Sequence, residues 1–271
     1  KYNPWEKGVV RFSAGRGKRA ANIFAENQSL FASSRTFSVL DNSGKIYGLD
    51  PEVAWNYGLS FNQQFLLFGK SADVGFDFYR TDFQNQVVVD LYASPQQALF
   101  YNLNGKSYAN SFQLDFNIEL IKHLDLRTAY KYYDINTAYL SGMNERPLQA
   151  KHRFFTNLAY ATHIGEKGKQ WKFDYTLNWL GKQALPNTST NPRADQLPDY
   201  SPAFTVMNVQ VTRTFSSTFE VYVGGENIGN YKQDKAILGS DNPFGPNFDT
   251  SIVYAPVFGQ MYYAGLRFKV K

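Results

Sequence analysis

The chain has 271 residues, 17% of them aromatic, and a formal net charge of +5. It lacks cysteine, which removes disulfides, thiolate metal sites and cysteine nucleophiles together. No stretch approaches 18 uninterrupted apolar residues, which excludes a transmembrane helix, and apart from Arg16–Arg19 the basic residues are scattered among acids, so no nucleic-acid partner is expected. The aromatic content is far above that of an ordinary soluble domain, yet the negative mean hydropathy and 19% charged residues look soluble. A wall with one apolar and one polar face reconciles the two, because averaging over a period of two conceals the apolar surface.

The first residues, KYNPWEKG, contain no apolar signal region, so for an exported protein the start of the precursor is expected upstream. Period-two alternation then predicts ten strands, at Val9–Gly15, Ala54–Phe68, Ala72–Leu91, Ser107–Ile121, Leu124–Ile135, Lys151–His163, Gln170–Leu180, Thr205–Phe215, Thr218–Gly225 and Gln260–Lys271. In SFQLDFNIEL, for example, Phe112, Leu114, Phe116, Ile118 and Leu120 oppose Gln113, Asp115, Asn117 and Glu119. The connections alternate in size. Short ones fall near Gly69, Lys122, Gly165 and Ser216, and long ones run Arg16–Glu52, Tyr92–Lys106, Asn136–Ala150, Gly181–Phe204 and Glu226–Gly259. This rhythm predicts an all-β, antiparallel, up-and-down transmembrane barrel with tight turns at one rim and extended loops at the other. Aromatic residues near the strand ends, such as Trp55/Tyr57 and Tyr130/Tyr132/Tyr133, suit two lipid–water interfaces. Phe112, Phe116, Phe173, Leu177, Val209, Leu266 and Phe268 are expected on lipid, and Asp77, Gln113, Asp115, Asp174, Gln210 and Glu220 on the lumen.

VVRFSAGRGKRAANIFAEN, from Val9, and GLDPEVAWNYGLSF, from Gly48, resemble a late-barrel signature of TonB-dependent outer-membrane receptors. The matching positions are Ser13, Gly15, Gly17 and Arg19, with a short helix after them, then Leu49, Pro51, Glu52, Asn56 and Tyr57; RPLQAKHR, from Arg146, is similar to the start of a later strand. Tyr263, Gly265, Phe268 and Val270 fit the terminal signal that outer-membrane barrels present to their assembly machinery. The resemblance implies that this chain supplies about ten C-terminal strands of a 22-stranded barrel, 1–271, with the plug domain and the N-terminal strands absent. It also implies residence in the outer membrane of a Gram-negative bacterium, contact with outer-membrane lipid, coupling to the TonB complex through the plug, and uptake of a ferric siderophore, cobalamin or another scarce nutrient. Two positions depart from the family pattern, since Gly58 and Gln113 stand where inward glutamates commonly pair with plug arginines; Asp115, Glu119 or Glu52 would take over that role, which makes Gln113, Asp115 and Glu119 the plug-facing candidates. The chain also ends in Lys271 where many barrels end in an aromatic residue.

For ligand recognition the candidates are Arg35, Tyr92, Tyr101, Arg146, Arg193, Tyr200 and Tyr254, whose guanidinium and phenol groups suit an anionic metal chelate or other small molecule held by the outer loops. No cofactor is expected, and no His or carboxylate cluster has metal-ligand spacing. His123, His152 and His163 lie at turns or a strand start, which argues against an enzyme. The alternatives are a passive or structural outer-membrane pore and an omptin-like outer-membrane protease; for the latter the rim offers only Glu145 and His152.

Overall fold

The computed structural model describes residues 1–40 and 44–270. Its elements in chain order are β1 (Gly8–Arg19), a four-residue helix α1 (Ile23–Glu26), a 3₁₀ turn (Gln28–Ala32), β2 (Thr36–Val39), β3 (Glu52–Leu67), β4 (Lys70–Asn85), β5 (Val87–Asp90), β6 (Gln97–Asn102) and β7 (Ser107–Ile121). Then follow β8 (Leu124–Tyr139), β9 (Gly142–Glu145), β10 (His152–Ala161), β11 (Gln170–Leu180), β12 (Phe204–Thr214), β13 (Phe219–Glu226) and β14 (Met261–Phe268). Ten of these strands form one sheet in the order β1-β3-β4-β7-β8-β10-β11-β12-β13-β14, each antiparallel to the next in sequence, and β9 extends β8. Among the described residues β1 and β14 are the two outer strands and do not pair with each other, so the sheet is an open arc.

Alternation holds across the whole sheet. One register row reads Val10, Phe61, Phe76, Leu114, Tyr130, Phe154, Trp179, and the next reads Arg11, Ser60, Asp77, Gln113, Lys131, Arg153, Leu180. A one-residue step therefore moves from an apolar face to a largely polar one, as the pleat requires. The apolar face is open to its surroundings, with Phe12 71% and Leu266 69% exposed. It is bounded by rings, Trp55 with Tyr57 toward the long loops and Trp171 with Phe173 toward the short turns. Level with Trp55 and Tyr57 the same face turns polar on the next strands: Arg80 donates to both carboxylate oxygens of Asp82, at 2.8 and 2.6 Å, and to Asn110 at 2.9 Å.

Turn chemistry sets the short connections. Phe68 (φ 51°) and Gly69 (φ 76°) form a two-residue turn in the left-handed region, which matches the strand twist. At the start of α1 the Asn22 side chain accepts from the Ala25 N–H at 3.1 Å while Glu26 reaches back to the Asn22 N–H at 3.0 Å, two orphan donors satisfied reciprocally.

The structure corrects the expected strands by more than two residues in four places. The first strand continues past Gly15 to Arg19, so the loop expected from Arg16 starts later. The run Ala72–Leu91 is two strands, because the chain leaves the large sheet after Asn85 and β5 pairs with β6 instead. The strand from Leu124 continues to Tyr139, past Ile135. The last strand ends at Phe268, so Tyr263, Gly265 and Phe268 lie on it and Val270 beyond it, and Lys271 falls outside the described residues.

The long loops are built, not loose. β2, β6 and β5 form a separate three-stranded sheet in which β2 and β6 run parallel. Ile23, Leu30 and Leu49 from the first loop pack there with Val87, Leu91, Ala98 and Phe100 from the second. Leu185, Leu238 and Ile252 make another core between later loops. The most deeply buried large side chains, Phe100, Ile23, Leu238, Ile252 and Val88, all belong to this loop layer. The wall buries little between its own faces, so the loops hold what is otherwise a protein interior.

Candidate ligand-binding site

Four side chains, Arg35, Gln96, Gln183 and Lys235, join loops that are distant in sequence. Arg35 donates to Asp249 at 2.9 Å, with the two side chains only 2% and 6% exposed, and its Nη1 reaches the carbonyls of Ser94 and Gln97 at 3.1 Å each. Gln96 donates to Asn191 at 2.8 Å and to Asn247 at 2.9 Å. Gln183 donates to the Tyr254 carbonyl at 2.9 Å. Lys235 meets Asp195 at 2.8 Å; this ammonium and the Gly239 N–H hold the Asp195 carboxyl below its usual value, the hydrogen bond from Lys235 being the larger cause.

The same loops enclose an open cavity of about 400 Å³. Tyr92, Asn144, Glu145, Asn187, Asp199 and Tyr200 are among its walls, drawn from three loops. Asp90, fully buried, positions the first of them by accepting from the Tyr92 and Ala93 N–H groups at 2.8 and 3.2 Å and from Tyr101 Oη at 2.7 Å. The Tyr92 hydroxyl donates to the Glu145 carbonyl at 2.7 Å, and burial raises its pKa, keeping it protonated. The Glu145 carboxylate pairs with Lys151 at 3.0 Å. Lys182 lies over the Tyr200 ring, 4.3 Å from its centroid.

Of the expected ligand residues, Tyr92 and Tyr200 line this cavity and the others do not. Arg35 and Tyr101 are interior ties of the loop layer. Arg146 lines a much smaller recess beside Tyr133 and Gln149, Arg193 sits exposed on a 3₁₀ turn, and Tyr254 packs against Leu185, Leu238 and Ile252. Asn144, Glu145, Asn187 and Asp199 were not singled out as ligand residues, since polar side chains in a polar loop carry no signal that separates a wall from a surface. Asp90 was missed because its neighbours read as a continuous strand. Glu145 and His152 do not form a catalytic pair: the partner of the first is Lys151, and His152 Nδ1 bonds the Tyr130 hydroxyl at 2.7 Å.

On the polar face of the sheet, Gln113 donates to Asp115 at 3.1 Å, and the Asp115 carboxylate lies over Gly75, where a Cβ would collide with it. Glu119 stands at the short-turn rim, accepting from the His123 N–H at 2.8 Å and facing Lys70 at 3.9 Å. Gly58 is covered by Tyr79, whose Cε1 would be 2.6 Å from an added Cβ. The tyrosine ring occupies the space of the expected glutamate.

Residues 1–228 match the family described as TonB dependent receptor-like, beta-barrel. The chain belongs to this family. No curated protein matches it. Among solved structures this TonB-dependent receptor barrel superposes on the ferric enterobactin receptor of Pseudomonas aeruginosa (14% identity, TM-score 0.63, 98% of this chain and 39% of that one). It is similar also to the ferric-catecholate import receptor Fiu of E. coli K12 (13%, 0.62, 98% and 34%) and to the copper transporter OprC (13%, 0.67, 98% and 38%). The TonB-dependent receptor barrel thus spans between 34% and 39% of these three chains and forms a partial barrel.

Proposed function

We propose that the chain is the C-terminal wall and ligand-selecting rim of an outer-membrane receptor of Gram-negative bacteria that takes up a scarce nutrient by TonB-dependent active transport. The observation that carries this reading is the open arc of ten antiparallel strands, whose outer strands β1 and β14 have no further strand beside them among the described residues, β1 meeting only Tyr2 through Val10. In lipid, unpaired backbone groups cost several kcal/mol each, so such an arc requires further strands, as a larger barrel supplies. The family match and the sorting of tight turns to one rim and knit loops to the other support the same conclusion. Lipid covers the apolar face in this reading, and the polar face, with Gln113 and Asp115, meets a plug that couples to TonB.

Single-channel recording of the complete receptor tests this against a passive pore. The receptor should be closed at rest and conduct only when denaturant loosens the plug, and accumulation of its ligand in cells should stop when TonB is deleted. Steady conductance in buffer with TonB-independent uptake would establish the pore instead.

A further inference from the structure

Resting on the reading of the loops as a ligand-selecting rim, we propose that the cavity between Tyr92 and Tyr200 takes a neutral, hydroxyl-rich ligand of the oligosaccharide class rather than an anionic metal chelate. The charge of its wall is the first argument. None of the arginines expected to meet an anion lines it, and its charged lining groups are the carboxylates of Glu145 and Asp199. Lys151 neutralises Glu145 through a 3.0 Å contact, and Lys182 is placed over the Tyr200 ring. An anionic chelate entering here would meet carboxylates with no guanidinium fork to receive it.

The second argument is what the wall does offer. Tyr200 is 39% exposed, and with Lys182 over one face of its ring the other face is suited to the C–H face of a sugar. Asp199, Ser189 and the Tyr200 hydroxyl have no side-chain hydrogen-bond partner among the described residues and are free to bond ligand hydroxyls, and Asn144 spends its amide N–H groups on Ser141 and Gly142, leaving its carbonyl oxygen as an acceptor. About 400 Å³ falls within the range of small-ligand sites. Opposed donors and acceptors beside an aromatic face, without net positive charge, select hydroxyls over anions.

The test uses the complete receptor in detergent, probed with an array of neutral oligosaccharides and, separately, with a trianionic ferric tris-catecholate. The expected result is retention of at least one neutral oligosaccharide, weakened tenfold or more by Asp199→Ala and by Tyr200→Ala, both exposed positions, with Tyr200→Phe losing less than Tyr200→Ala. Binding of the catecholate chelate that either substitution weakens, or no retention of any neutral oligosaccharide, would overturn the proposal. Oligosaccharide binding without TonB-dependent accumulation in cells would uphold it while removing the transport reading.

Discussion

Gly265 is a residue whose lack of a side chain has a visible cause. On the polar face the Tyr222 ring lies across it, and the neighbouring Tyr263 ring lies across Gly224, so two tyrosine–glycine pairs lock β13 to β14 with the rings 6.2 Å apart. Rings laid over strand glycines pin register. Gly265→Ala should therefore destabilise the barrel by about 1–3 kcal/mol through overpacking, and most of that cost should vanish in a Tyr222→Ala background; a double-mutant cycle in urea unfolding measures it. Asp90 makes the complementary case, a fully buried carboxylate surrounded by donors. Asp90→Ala strands several of them, at about 1–3 kcal/mol for an unsatisfied buried group. Ligand affinity should fall as well, because Tyr92 loses its support, and titration of the complete receptor would show it.

At the scale of the strand, the apolar row of β11 runs from Trp171 to Trp179 and meets Leu158 of β10 at the level of Tyr175. Eight residue steps at about 3.3 Å each cover roughly 26 Å along the strand, commensurate with a tilted strand crossing an apolar band about 25 Å tall. Leu158 lies half-way, so Leu158→Lys should cost about 2–4 kcal/mol, while Asn157→Lys on the polar face should cost far less; equal losses in detergent-to-lipid refolding would mean that both faces are solvated alike. Strands of this kind were legible in the sequence because period two is imposed by the pleat and needs no knowledge of the partner, which is why Ser107–Ile121 and Gln170–Leu180 were read with their observed bounds. β5 was illegible for the same reason inverted. Val87–Asp90 follows β4 after the single residue Gln86, and nothing local marks that its hydrogen bonds go to β6 instead. The site was legible only in its tyrosines: Arg35 reads as an exposed loop cation until Asp249, 214 residues away in sequence, is placed beside it.

For the molecule as a whole, the loop layer is a second folded body resting on the wall, and it should fail separately from it. Arg35→Met leaves Asp249 buried without its cation, which typically costs about 3–5 kcal/mol; the expected result is rapid proteolysis in the loops while the sheet keeps its heat-resistant mobility on gels. Acid should loosen the same layer at another tie. The Asp195 carboxyl sits below the ordinary value of about 3.9, so its contribution is complete above that range and disappears as pH falls through the lowered pKa. Loop cleavage by an acid-active protease should rise there in the parent and be nearly independent of pH in that window for Asp195→Asn. The parallel pairing of β2 with β6 reaches further than stability. Since the first and second loops share one sheet and one apolar core, neither is a unit of inheritance by itself: a recombination event that imported a new 20–51 segment without its 86–106 counterpart would deliver half an interior. Novelty at this rim should arrive by exchange of the two segments together, or by substitutions confined to cavity-lining positions such as Asp199 and Tyr200.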